Sequence, residues 1–211
     1  MKKYVTELIG AFFLVFTIGN VVIGNNPSAA LAPLAIGATL MVMIFAGGHI
    51  SGAHYNPAVS VAVWVRGKLG IGDLIGYVIF QLVGAVLAVL AVKYLKGCET
   101  ICLVSASELT SGPALLAEFL GTFALAFVVL NVATAKGTAN NSFYGLAIGF
   151  TVTAMAYAVG SVSGGAFNPA VALGITLLGL STWANIWIFL VGNVAAGIVA
   201  GLMFRALAGK D

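Results

Sequence analysis

The chain has 211 residues, 61% of them hydrophobic and only 7% charged, with a formal net charge of +3. Soluble domains carry about a quarter charged residues, so this composition excludes one and describes an integral membrane protein. So small a positive excess does not point to nucleic acid; where the charges sit matters more than their sum.

In chain order, Lys2 and Lys3 precede an apolar run over 4–24 that contains Glu7. The run is long enough to span and lacks a small-residue cleavage site, so it is read as a membrane helix rather than a cleavable signal. A second apolar run covers 31–48. His49-Ile50-Ser51-Gly52-Ala53-His54-Tyr55-Asn56-Pro57-Ala58-Val59 follows, opening an apolar piece over 56–65. At 1.5 Å per residue such a piece makes a helix of ~15 Å, half of the ~30 Å of hydrocarbon. A third span is predicted over 72–95. An external loop over 98–112 then carries Cys98 and Cys102, in which a disulfide, a cross-link between protomers and free thiols all stay open. Further spans are predicted over 114–134, which holds Glu118, and over 142–160. Ser161-Val162-Ser163-Gly164-Gly165-Ala166-Phe167-Asn168-Pro169-Ala170-Val171 opens a second short piece over 168–178, and the last span covers 182–206.

The halves repeat. Asn56-Pro57-Ala58 and Asn168-Pro169-Ala170 lie 112 positions apart, and Leu34-Ala35-Ile36-Gly37 returns as Leu146-Ala147-Ile148-Gly149 at the same offset. Glu7-Leu8-Ile9-Gly10 returns as Glu118-Phe119-Leu120-Gly121, one residue out of step. The chain is therefore read as one membrane domain over 1–211, built of repeats at about 1–97 and 113–211. Three spans per half is odd, so the second repeat is inverted and the two short helices enter from opposite faces. The expected fold is an all-α membrane protein of six transmembrane helices plus two re-entrant half-helices. With the N-terminus cytoplasmic, Lys2, Lys3, Arg66, Lys68, Lys136, Arg205 and Lys210 lie inside, and only Lys93 and Lys96 outside. That ratio satisfies the positive-inside rule and puts both termini in the cytoplasm, in a plasma (inner) membrane.

Proline suits the first turn of a helix, and Asn before it caps that turn while its amide donors stay free for a lumen. The preceding backbone is irregular, which a bilayer tolerates only beside a water-filled cavity or buried in protein. The carbonyls of Gly52, Ala53, His54 and Tyr55, and of Gly164, Gly165, Ala166 and Phe167, are expected to form two rows of acceptors leading to Asn56 and Asn168. Two half-helix N-termini facing one point repel a cation and spare a neutral molecule. A passive pore for small neutral solutes follows.

The signature His-Ile-Ser-Gly-Ala-His-Tyr-Asn-Pro-Ala-Val and its second copy resemble the major intrinsic protein family, from Glu7 to about Arg205. The resemblance implies a right-handed bundle, one pore per protomer and a homotetramer. It also implies a filter outside the Asn pair, whose four positions map to Ile36, Ala156, Gly165 and Val171. The family usually places Arg directly after the second Asn-Pro-Ala, where this chain has Val171. Without that Arg, or the aromatics and His that accompany it, the filter is expected to be wider and apolar. Water is favoured over glycerol, with glycerol, urea, ammonia and hydrogen peroxide as the alternative cargo.

Glu7 and Glu118 fit either proton coupling or anchoring of the re-entrant loops. Their symmetric placement without basic partners favours anchoring. His49 fits a loop anchor or a pH-sensitive gate, and His54 is expected to contribute its carbonyl. Gln81 and Asn193 are expected to bond to loops, and Gly197 and Gly201 to permit close helix approach. A secondary transporter also uses inverted repeats, but intramembrane charge beyond the two Glu is lacking. An ion channel is opposed by the facing dipoles. No nucleophile, cofactor fingerprint or metal cluster points to an enzyme, so no cofactor or metal is expected. The expected partners are water, small uncharged solutes and the lipid bilayer.

Overall fold

The computed structural model describes residues 1–24, 29–97 and 108–208; Cys98 and Cys102 lie outside them. Among the described residues all regular structure is helical. Helices α1 (Lys2–Val22), α2 (Ala32–Ser51), α4 (Ile71–Lys96), α5 (Ser111–Val129), α6 (Tyr144–Ser163) and α8 (Ile186–Ala208) fall in the six segments long and apolar enough to cross a bilayer. Helices α3 (Pro57–Val65) and α7 (Pro169–Leu177) have nine residues each, about 14 Å, and stop halfway. The result is an all-α membrane fold of six spanning helices and two re-entrant half-helices in an inverted repeat.

Both α2 and α6 run three residues past the apolar stretches that predict them. Each ends on a glycine in the left-handed conformation, Gly52 at φ 85° and Gly164 at φ 92°, which a residue with a Cβ adopts only under strain. The chain can therefore turn back into the membrane at once.

Packing follows the internal two-fold. α1 lies along α4 and α2, while α5 lies along α8 and α6. The half-helices are exchanged between repeats: α3 packs mainly on α8, and α7 mainly on α4. In lipid no hydrophobic force drives helix against helix, so close approach by small residues does the work. α2 and α6 meet where a Cβ at Gly37 or at Gly149 would stand 2.5 Å from the other residue's carbonyl oxygen. Gly197 and Gly201 of α8 let α3 settle against them, since a Cβ at Gly197 would overlap the Ala58 carbonyl oxygen. Large apolar side chains such as Val42, Leu90, Phe150 and Leu202 face outward, where lipid rather than water surrounds them.

One feature breaks the symmetry. α5 continues through a π-helical stretch, Leu130–Thr134, whereas α1 ends at Val22 with Ile23 extended. Carbonyls near the widened turn find side-chain donors: Thr138 Oγ1 donates to Asn131 O (2.5 Å) and Asn141 Nδ2 to Val132 O (2.7 Å). Arg66, at the end of α3, donates through Nε to Thr134 Oγ1 (3.3 Å).

Candidate functional site

The two half-helices meet end to end at their Asn caps. Asn56 Oδ1 accepts from Ala58 N (2.8 Å) and Val59 N (3.4 Å); Asn168 Oδ1 accepts from Ala170 N (2.9 Å) and Val171 N (3.4 Å). Pro57 and Pro169 occupy the first helical positions, where a missing N–H costs nothing. Each amide also reaches across the repeat axis. Asn56 Nδ2 donates to Phe167 O (2.8 Å), and Asn168 Nδ2 donates to Tyr55 O (2.9 Å). One N–H of each amide is thereby used and one remains.

Both loops hang from a buried carboxylate. Glu7 Oε1 accepts from Ser51 Oγ (2.6 Å) and His54 N (2.9 Å), and Oε2 from Tyr55 N (2.6 Å) and Gln81 Nε2 (2.8 Å). Glu118 repeats the pattern: Oε1 accepts from Ser163 Oγ (2.7 Å) and Ala166 N (2.9 Å), and Oε2 from Phe167 N (2.7 Å). Both glutamates are fully buried. One turn along each helix, Gly10 and Gly121 leave room for the loop's aromatic ring; a Cβ there would overlap Tyr55 or Phe167. The held backbone is strained, with positive φ at Ala53 (52°), Tyr55 (52°) and Phe167 (47°).

What the loops present is a set of carbonyls. Among the described residues, no protein group donates to the carbonyl oxygens of Gly52, Ala53, His54, Gly164, Gly165 or Ala166. Tyr55 and Phe167, expected to extend these rows, instead give their carbonyls to the opposite Asn amides, because the loops cross at close range. A cavity of about 200 Å³ runs beside the rows, lined by Ala53, His54, Asn56, Gly164, Gly165, Ala166 and Asn168 on the loop side. Aliphatic side chains such as Leu40, Ile44, Leu125 and Ile148 line the other walls. Ile36, Ala156, Gly165 and Val171 all border this cavity, so it carries no charge at those four positions.

The histidines exchange roles. His49, expected as a loop anchor, is exposed on the last turn of α2, and its ring hydrogen-bonds to no described residue. It borders a separate cavity with Tyr144 and the π-helical stretch. His54 holds the loop with its ring: Nδ1 lies 3.0 Å from Ser60 Oγ, and the imidazole stands edge-on to Tyr77 at 5.0 Å. Tyr77 in turn donates to Ser51 O (2.5 Å). Sequence reasoning missed Ser51, Ser163, Tyr77 and the two ring-accommodating glycines. The repeated Ser-Gly and Glu-x-x-Gly pairs were the available signals. Gln81 and Asn193, expected to bond to loops, bond to helix side chains instead: Gln81 Nε2 donates to Glu7 of α1 and Ser60 of α3, and Asn193 Oδ1 accepts from Thr122 of α5. Among the described residues no three His, Cys, Asp or Glu side chains gather as a metal site would require.

Comparison with known proteins agrees with this geometry. The profile of the major intrinsic protein family matches residues 1–204. Glycerol uptake facilitator protein-like 6 of Lactiplantibacillus plantarum is 33% identical, with 100% of both chains covered. Aquaporin NIP1-1 of Zea mays is 37% identical over 95% of this chain and 72% of its own length. Among solved structures, the aquaglyceroporin from Plasmodium falciparum matches with a TM-score of 0.83, covering 98% of this chain and 96% of that one. At 22% identity, that likeness is one of fold.

Proposed function

The chain belongs to the major intrinsic protein family, whose members are channels for water and small solutes, and from that premise we propose that it is a passive channel with one pore per protomer. Its cargo is water together with other small neutral molecules. The observation that carries this reading is the set of carbonyl oxygens without a protein donor, five of which (Ala53, His54, Gly164, Gly165 and Ala166) belong to residues lining the cavity that also borders Asn56 and Asn168. Ala53, His54 and Ala166 are buried, and a buried polar group left unpaired costs about 1–3 kcal/mol, so a dry cavity beside them would be destabilising. Water or a polyol satisfies each carbonyl by donating to it, and accepts in turn from the remaining N–H groups of Asn56 and Asn168.

In this reading Asn56-Pro57-Ala58 and Asn168-Pro169-Ala170 form the centre of the pore, where two helix N-termini oppose any cation. Ile36, Ala156, Gly165 and Val171 form its outer ring, without the usual Arg, so cation exclusion rests on the half-helix dipoles alone. Glu7 and Glu118 are structural anchors: every oxygen on them accepts from loop backbone, Ser or Gln donors, which leaves no role as a proton relay. The names of the relatives span water and glycerol, which fits a wide, apolar outer ring. The termini lie in the cytoplasm by the distribution of Lys and Arg, and the assembly is a homotetramer in the plasma (inner) membrane.

Stopped-flow light scattering on proteoliposomes tests the proposal. Shrinkage in sucrose should be fast, with a low activation energy and no dependence on a proton or sodium gradient. Re-swelling in glycerol and in urea then ranks the cargo. Flux that collapses when such a gradient is dissipated would identify a secondary transporter instead.

A further inference from the structure

We propose that an inner neck between His54 and Val129, rather than the outer ring, decides which neutral solutes cross. The proposal rests on the channel reading above and assigns the discriminating residues within it. The cavity beside the carbonyl rows is followed, towards the end of the molecule that holds Lys68 and Asp73, by an inner compartment of about 430 Å³. Ser51, Gly52, Tyr77 and Thr134 also line that compartment. Among the described residues only His54 and Val129 border both spaces, so a solute passing between the two meets these residues.

Each is held in place by its own set of contacts. Ser60 Oγ donates its single proton to Asn56 O (3.0 Å) and accepts from Gln81 Nε2 (3.1 Å). His54 Nδ1, 3.0 Å from the same oxygen, must then carry its hydrogen, and this assigns Nε2 as the bare acceptor. Nε2 lies on the side of Gly52, where an added Cβ would stand 3.3 Å away, and Gly52 lines the inner compartment. The ring cannot swing freely, because its edge is set against Tyr77, itself tied to Ser51. Opposite, Val129 is the buried last residue of α5. The π-helical stretch that follows is pinned by Thr138, Asn141 and Arg66, so the end of α5 is held firmly.

The neck thus offers one hydrogen-bond acceptor and one branched apolar wall, with no fixed charge. A neutral molecule that donates and is narrow enough to pass Val129 is accepted. A bulkier one is refused here although the outer ring lets it in.

The full chain in proteoliposomes decides the matter, with water, glycerol and erythritol as probes. Deleting methyl groups from a fitted apolar wall changes discrimination by about ten-fold or more. Val129→Ala should therefore raise the erythritol-to-water permeability ratio by about that factor, and Val129→Ile should lower the glycerol-to-water ratio. His54→Leu keeps the backbone bond to Glu7 but removes the acceptor, and should depress glycerol flux more than water flux. If that variant fails to fold, the Val129 pair still decides. Wild-type ratios in both Val129 variants, or a larger response to Val171→Ala than to Val129→Ala, would overturn the neck and leave the channel standing. Wild-type vesicles that shrink no faster than empty ones would refute the channel, and the neck with it.

Discussion

Replacing Glu118 by Gln changes one oxygen to an NH2 group and almost nothing else in shape. The native carboxylate accepts from Ser163 Oγ and Ala166 N on one oxygen and from Phe167 N on the other, at 2.7–2.9 Å. The Ser163 hydroxyl can turn round to suit an amide, but a backbone N–H cannot. Whichever way the Gln is oriented, either Ala166 N–H or Phe167 N–H faces another donor. The loss is one hydrogen bond to a charged acceptor plus one orphaned buried donor, about 2–4 kcal/mol taken together. For a chain of this size that lowers the apparent melting midpoint by roughly 5–15 °C, measured by thermal unfolding of detergent-purified protein. Conduction should fall with it. Phe167 O receives the Asn56 amide, so slack in the second loop reaches the first. A Gln variant that unfolds and conducts like the parent would show that the carboxylate does not hold the loop. One that stays stable but changes its response to a proton gradient would point to proton coupling.

Three further outcomes are expected. Val171→Arg places a charge and a long side chain in a cavity of about 200 Å³ and should cut glycerol and urea flux far more than water flux; an unchanged ratio means that Val171 does not face the lumen. Gly121→Ala drives a methyl group into the Phe167 ring and should cost about 1–3 kcal/mol, with Phe167→Leu in the same chain recovering part of the loss in a double-mutant cycle on the melting midpoint. Asn56→Asp removes the donor to Phe167 O and sets a negative charge where two helix N-termini converge, so vesicles should become leaky to potassium in a dye assay. Tight vesicles would show that the dipoles are not what excludes cations.

The repeat made the fold legible before any coordinates. The paired Asn-Pro-Ala, the odd number of spans per half and the half-length apolar pieces imply two opposed re-entrant helices, because a bilayer leaves irregular backbone few places to go. Helix ends were less legible. α2 and α6 extend to Ser51 and Ser163 because those hydroxyls bond to buried glutamates, a tertiary contact without a local signature. Likewise nothing near Leu130 announces a π-helical stretch; its carbonyls are satisfied by Thr138 and Asn141 from beyond the helix. The two histidines show the same limit. His49 and His54 look alike in sequence, and only the turn at Gly52 decides which ring faces Ser60.

The crossed bonds between the loops also govern how the molecule is made. Asn56 Nδ2 donates to Phe167 O and Asn168 Nδ2 to Tyr55 O, and each half-helix rests mainly on a long helix of the other repeat. A ribosome adding about 5–20 residues per second delivers the second loop several seconds to about twenty seconds after the first. Through that interval the nascent first half holds an amide and a carbonyl with no mate. Its long helices can insert while its re-entrant segment waits. The first loop can hang from Glu7 within its own half, but the crossed bonds that complete both loops form only once the second has arrived. Halves divided within residues 98–107 and expressed singly should stay open to protease, and co-expression should restore protection to both.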